Sequence, residues 1–294
     1  MSKTTKKKLK DALVGWAFVL PSFAILTVFI LIPIVMSVYF SFTEYNVLTP
    51  PTWVGLQNYK TMFADTLVQT SIKNTLVYTV ITVPLQTIIS LVIAALIAEK
   101  FQNLYGRACK SALFVPVISS AVLVGTIWSM LYSTDSGILN MVLNFFGLDS
   151  VNWLGQRSTA LICVCVVAIW KNIGYFLVIY YAGLMDVPRS YYEAAEVDGA
   201  TQLQRFRYIT LPCIKPITYL IVTLGIIWSF QVFDLVYSMT SGGPGNATQT
   251  LVLTIYQKGF REYKMGYASA IAILLFVIIL VINNVQKLFF KDDE

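Results

Sequence analysis

Catalytic chemistry needs bases, nucleophiles and metal ligands, and few are present in this sequence. There is no histidine, which removes the commonest general base and the commonest metal ligand. The four cysteines, Cys109, Cys163, Cys165 and Cys213, lie in or beside apolar runs. Cys163 and Cys165 point to different sides of a helix, so neither a disulfide framework nor a metal site is expected. What remains is a set of polar residues inside apolar stretches. Lys171 falls about twelve residues into one such run, roughly 18 Å at about 1.5 Å per residue. Asn172 is its neighbour, and Tyr175 lies at i+4 on the same helical face. A later run carries Trp228, Ser229, Phe230, Gln231, Phe233 and Asp234. A charge near the bilayer centre costs about 2.5–3.5 kcal/mol and marks a protein-lined cavity. Aromatic rings beside Asn, Gln and Asp suit a sugar, whose pyranose faces are apolar and whose rims are hydroxyls. Two other readings are open: polar packing between helices, and a structural ion pair of Lys171 with Asp234.

The elements that position these residues are membrane helices. The chain has 294 residues, 57% of them hydrophobic and 12% charged, against about a quarter charged in soluble domains. Such a chain expects most of its surface to face lipid. The net charge of +6 does not imply nucleic-acid binding, because the basic residues flank apolar runs as topology signals. Six runs are long enough to span, at about 20 residues each: roughly 13–40, 73–98, 111–132, 159–185, 213–239 and 266–287. The run after Lys3, Lys6, Lys7, Lys8 and Lys10 is too long for a cleaved signal and reads as a retained first helix. Those lysines fall on one side of the membrane with Lys100, Arg107, Lys110, Arg189, Arg205, Arg207, Lys215, Lys287 and Lys291. The other side holds Lys60, Lys73, Arg157, Lys258, Arg261 and Lys264. The excess places a basic N-terminus, 1–12, and a short tail, 288–294, in the cytoplasm. The spanning domain is then 13–287.

The loop at 186–212, on the cytoplasmic side of that topology, is larger than a connector needs. Pro188 suits the first turn of a helix, Gly199 a stop, and Thr201 with Gln204 a capping box that restarts a helix. Two short helices with a sharp bend are expected, forming an exposed knob suited to docking, with Ala194 and Ala195 small enough for a partner to approach. The spacing Glu193-Ala194-Ala195, Asp198-Gly199, Ile209 and Leu211-Pro212 resembles the EAA loop of ABC-importer permeases. Several other segments resemble carbohydrate-uptake permeases of the maltose, lactose and raffinose type. These are Trp53-Val54-Gly55-Leu56-Gln57-Asn58-Tyr59, Trp170 to Tyr175, Ser241-Gly242-Gly243-Pro244-Gly245 and Gly266 to Ala270. The resemblance covers nearly the whole chain.

This likeness implies an all-α, six-helix permease bundle of the type I importer kind in a bacterial inner membrane. Glu193, Ala194, Ala195, Asp198, Gly199, Ile209, Leu211 and Pro212 would form the ATPase-coupling helix and its surroundings. Asn172, Gly174, Tyr175, Phe230, Gln231 and Asp234 would line the substrate path. The implied partners are a second, homologous permease, two cytosolic ATPase subunits, an extracytoplasmic solute-binding protein, a sugar or oligosaccharide, and lipid. No cofactor and no enzymatic activity is expected in this chain: where Gly106 to Ser111 comes nearest to a Walker A loop, Cys109 stands in place of the required Gly. ATP and Mg²⁺ would bind the partner ATPase. Two rivals remain at this level. One is an importer of the same architecture for another solute, such as glycerol phosphate. The other is an ion-coupled secondary transporter, which would need intramembrane acidic relays and usually an internal repeat.

Overall fold

The computed structural model describes residues 3–101 and 103–290. The first two residues of the expected N-terminal segment lie outside the described residues, as do 291–294 of the expected tail. The structure comprises two compact units, Met1–Phe63 with Gln257–Leu274, and Ala64–Tyr256 with Leu275–Glu294.

In the first unit, α1 (Lys3–Leu26) passes through a widened turn at Thr27–Leu31 into α2 (Ile32–Ser41). Pro33 follows that turn; it has no N–H to give and its ring crowds the carbonyl four residues back, which a wider turn relieves. The apolar stretch Val14–Ser41 is largely exposed up to its buried last residue, Ser41, as a lipid-facing helix must be. After it, β1 (Thr43–Glu44) pairs antiparallel with β2 (Thr52–Trp53), and α3 (Gln57–Ala64) follows. The Trp53–Tyr59 motif has a plain structural role. Trp53 stacks on Phe42 at 5.5 Å between centroids. Asn58 Nδ2 donates to the carbonyls of Ser41 and Thr43, both at 2.9 Å, and the Tyr59 hydroxyl donates to Ser41 Oγ at 2.7 Å. The motif thereby satisfies orphan carbonyls where α2 ends.

The second unit is built on α4 (Thr66–Lys100) and α8 (Ala160–Met185), with α5 (Leu104–Ile118), α6 (Ala121–Leu131) and α7 (Ile138–Phe145) between them. Then come α9 (Arg189–Val197), α10 (Gln202–Arg205), α11 (Leu211–Cys213), α12 (Lys215–Phe230), α13 (Asp234–Met239), α14 (Leu251–Tyr256) and the C-terminal part of α15 (Met265–Phe290). Val164, Val167, Phe176, Leu177 and Tyr180 of α8 are fully buried. The buried face of α4 mixes apolar residues with a row of polar ones, among them Ser71, Thr75, Thr79, Thr82, Gln86 and Ser90. Its hydroxyls bond back along the helix or across to neighbours, Ser71 to Thr254 at 2.6 Å, Thr82 to Ser229 at 3.1 Å and Ser90 to the Ile173 carbonyl at 3.1 Å. Lipid supplies no hydrophobic drive between helices, so small and hydroxylated residues holding close contacts are what such an interface needs.

Among the described residues, four helices are long and apolar enough to cross a membrane: Val14–Ser41, Thr66–Lys100, Ala160–Met185 and Met265–Leu288. Two further pairs are bent, Leu104–Ile118 with Ala121–Leu131 by 99° and Gln202–Cys213 with Lys215–Phe230 by 67°, giving up to six spans if each pair crosses once. The helices differ from the expected runs in three places. The second begins at Thr66 rather than 73, because Asp65 caps it by accepting from Leu67 N at 2.8 Å ahead of turns too polar for a hydropathy reading. The stretch 111–132 is not one helix. It starts at Leu104, capped by Asn103, and breaks at Ser119-Ser120, both outside helical φ/ψ, just after Pro116 has removed one ladder bond. The stretch 213–239 likewise breaks at Gln231–Phe233 before α13.

Candidate functional site

The two breaks inside expected spans border one cavity. It has a volume of about 390 Å³ and is lined by Val117 and Ala121 flanking the first break, Gln231, Val232 and Phe233 in the second, Asp234 and Leu235 of α13, Trp228 of α12, and Ala168, Lys171, Asn172 and Tyr175 of α8. Non-helical backbone at membrane depth is tolerated where it is buried in protein or lines a cavity.

Four of the six residues expected in a substrate path, Asn172, Tyr175, Gln231 and Asp234, meet here. Tyr175 packs its ring 4.9 Å from that of Trp228, so two aromatic surfaces stand beside three amide or carboxylate groups. The other two residues are elsewhere. Phe230 is 1% exposed and points into the core. Gly174 faces α5, where an added Cβ would sit 2.0 Å from the Leu113 carbonyl oxygen; it is the contact that lets two helices touch.

Lys171 and Asp234 line the same cavity but form no ion pair with each other among the described residues. The Lys171 ammonium donates to the Val117 carbonyl at 3.2 Å. That carbonyl lies in the last turn of α5, where the ladder leaves acceptors unsatisfied, and a cation at a helix C-terminus also meets the negative end of the dipole. Asp234 opens α13, at the positive end of that short helix. Lys171 thus has its own acceptor in Val117 rather than in Asp234. Sequence reasoning missed Gln86, which accepts from Asn172 Nδ2 at 3.2 Å and is 1% exposed. A glutamine inside an otherwise apolar span was the available signal.

The loop at 186–212 forms two short helices. α9 carries Glu193, Ala194 and Ala195 and has no buried residue. Gly199 then takes φ +75°, a left-handed position open to glycine. Thr201 and Gln204 form the reciprocal cap of α10, with Thr201 N donating to Gln204 Oε1 at 2.8 Å and Gln204 N to Thr201 Oγ1 at 3.4 Å. Arg205 bridges back to Glu196 at 3.4 Å, Gln202 donates to Glu99 of α4 at 2.5 Å, and Tyr192 bonds Thr210 at 2.9 Å. Ile209 packs against a core cluster with Phe176, Leu177 and Tyr180. Asp198 is exposed in the bend, and Leu211 and Pro212 are exposed in α11. The element is thus tied to α4 and α8 while presenting apolar Val197 and Leu203, 87% and 76% exposed, outward.

Residues 6–292 match the family model described as binding-protein-dependent transport system inner membrane component. The chain belongs to this family. The permease is 32% identical over 288 residues to a probable ABC transporter permease of Bacillus subtilis, YurN, covering 97% of this chain and 98% of that one. It is 32% identical over 282 residues to the trehalose/maltose transport system permease MalF of Thermococcus litoralis, covering 94% and 93%. Its fold matches a chain of a bacterial ABC transporter involved in the import of the acidic polysaccharide alginate, with a TM-score of 0.85 and 25% identity over 98% of both chains. A chain of an alginate transporter in complex with an alginate pentasaccharide-bound periplasmic protein matches with the same TM-score and identity, over 96% and 95%. The permease is therefore a transport subunit of a binding-protein-dependent ABC importer, embedded in the inner membrane.

Proposed function

We propose that this permease forms half of the translocation path of a sugar importer, with the cavity at the two helix breaks as its sugar-facing wall. The observation that carries the reading is that cavity: Tyr175 and Trp228 offer aromatic faces, while Asn172, Gln231 and Asp234 offer hydrogen-bonding groups around them. Such a lining suits a pyranose, whose apolar faces stack and whose hydroxyl rim bonds. Relatives named for trehalose/maltose and alginate transport support the substrate class.

In this reading each bent helix pair crosses once, giving six spans, and both termini are cytoplasmic. A second, homologous permease completes the path. A solute-binding protein delivers sugar from outside. ATP and Mg²⁺ bind two separate ATPase subunits and not this chain, which has no enzymatic role. The ATPases grip α9 around Glu193, Ala194, Ala195, Asp198 and Gly199, with Val197 and Leu203 as apolar contacts, while Ile209, Leu211 and Pro212 pass the movement into α12. Closure of the ATPases then turns the cavity from one side of the membrane to the other.

The test is co-purification from native membranes followed by uptake in proteoliposomes. Wild type is expected to bring an ATPase and a second permease, and to take up oligosaccharide only with ATP and the binding protein. Glu193→Lys is expected to lose the ATPase. A chain that purifies alone and transports without ATP would overturn the reading.

A further inference from the structure

A second cavity, of about 290 Å³, lies where α4 and α8 end and α9 and α10 begin. It is lined by apolar Ala95, Leu184, Met185 and Phe206 together with two arginines, Arg189 and Arg205, and one carboxylate, Glu99. Because α4 and α8 are long and apolar enough to cross a membrane, a cavity at their last turns would sit at headgroup level. Arg205 shares its charge with Glu196 at 3.4 Å. Arg189 has no ion-pair or side-chain hydrogen-bond partner among the described residues. Two arginines beside an apolar lining at such helix ends fit the phosphate and the first acyl carbons of a lipid.

We propose that this cavity binds an anionic glycerophospholipid, its phosphate on Arg189 and Arg205 and its acyl chain along Leu184, Met185 and Phe206. Glu99, already accepting from Gln202, is an acceptor placed for a headgroup hydroxyl, which favours phosphatidylglycerol over a choline headgroup. The lipid would wedge between the membrane helices and α9, so membrane composition would bear on how firmly α9 is held. A soluble phosphate would use the arginines and leave the apolar wall empty.

The test uses the purified transporter complex and a photoreactive phosphatidylglycerol, with the labelled peptides mapped by mass spectrometry. Labelling is expected at the ends of α4 and α8, to exceed that by a matched phosphatidylcholine, and to fall about fivefold for each of Arg189→Gln and Arg205→Gln. Ala95→Phe, which fills the apolar wall and leaves both charges, should also abolish it. Equal labelling by the two lipids, or labelling unchanged in Arg189→Gln or in Ala95→Phe, would overturn the proposal. Competition by millimolar inorganic phosphate would overturn it in favour of a soluble phosphate. Since the readout needs neither ATP nor sugar, it stands apart from the import reading.

Discussion

The ammonium of Lys171 reaches across from α8 to the carbonyl of Val117 at 3.2 Å, closing the open end of α5 where the chain leaves the helix. A hydrogen bond to a charged group is worth about 1.5–3 kcal/mol. Lys171→Met should therefore lower the thermal stability of the detergent-solubilised permease by an amount of that order, and loosen the bend into α6. Asp234→Asn should leave stability nearly unchanged. The double variant should show the sum of the two effects, read as melting temperatures of the purified chain. Rescue of Lys171→Met by Asp234→Asn would mean that the two charges pair after all.

Gly174 separates stability from substrate binding. Its missing Cβ leaves room for the Leu113 carbonyl oxygen, which would otherwise lie at 2.0 Å, and that atom is backbone. Overpacking of this kind costs about 1–3 kcal/mol or more. Gly174→Ala should reduce the amount of folded permease in the membrane, while the protein that does fold keeps its KM. A Gly174→Ala variant with normal expression and a raised KM would return the residue to the substrate path.

These two residues show what the sequence made legible. The loop helices around Gly199 and the Thr201–Gln204 cap rest on interactions within a few residues, so spacing alone was enough. Tyr175, Gln231 and Asp234 were readable as polar or aromatic groups in apolar runs. Gly174 and Phe230 stood beside them only through the family resemblance; neighbours in sequence lie about 100° apart on a helix, so a matched motif does not say which of its residues meet a cavity. The breaks at Ser119-Ser120 and Gln231–Phe233 were invisible to hydropathy, which averages over them. The polar row on α4, including Gln86, was lost in the same average.

Gly199 tests the geometry of the bend. At φ +75° an L-residue carries a backbone penalty of about 1–2 kcal/mol, and nothing lies within 4 Å of its missing side chain. The defect on substitution should come from the backbone alone. Gly199→Ala and Gly199→Val should weaken ATP-driven uptake alike, while Gly199→Asn, which tolerates left-handed φ better, should retain most of it. If Asn failed as badly as Val, side-chain bulk at an ATPase contact would be the cause.

Glu262 gives a pH dependence confined to the segment before α15. Partial burial pushes its carboxyl pKa up, but hydrogen bonds from Lys264 at 2.8 Å and Lys258 at 2.9 Å outweigh this and hold it below the usual 4.5. A depressed carboxylate contributes stability that is present above its unfolded pKa and is lost as pH falls through the folded one. Amide protection of residues 257–264 should therefore be lower in Glu262→Gln than in wild type at neutral pH, and the two should converge below pH 4.5. A gap that persists in acid would show that the ion pairs do not hold this turn.

Gln86 should act on substrate through Asn172. Its amide accepts from Asn172 Nδ2 at 3.2 Å, and Gly225 leaves space for it, since an added Cβ there would lie 2.9 Å from Gln86 Nε2. Gln86→Leu frees the Asn172 side chain to turn in the cavity. Losing about 1 kcal/mol of orientation would raise the KM for uptake about fivefold, with basal ATPase activity and expression kept. Gly225→Ala should give a milder version of the same KM change by pressing on the Gln86 amide. In the double variant the pressure has gone, because leucine lacks that nitrogen, so Gly225→Ala should add little to Gln86→Leu. Full additivity of the two would show that Gly225 serves helix packing alone and that the amide pair does not set the cavity wall.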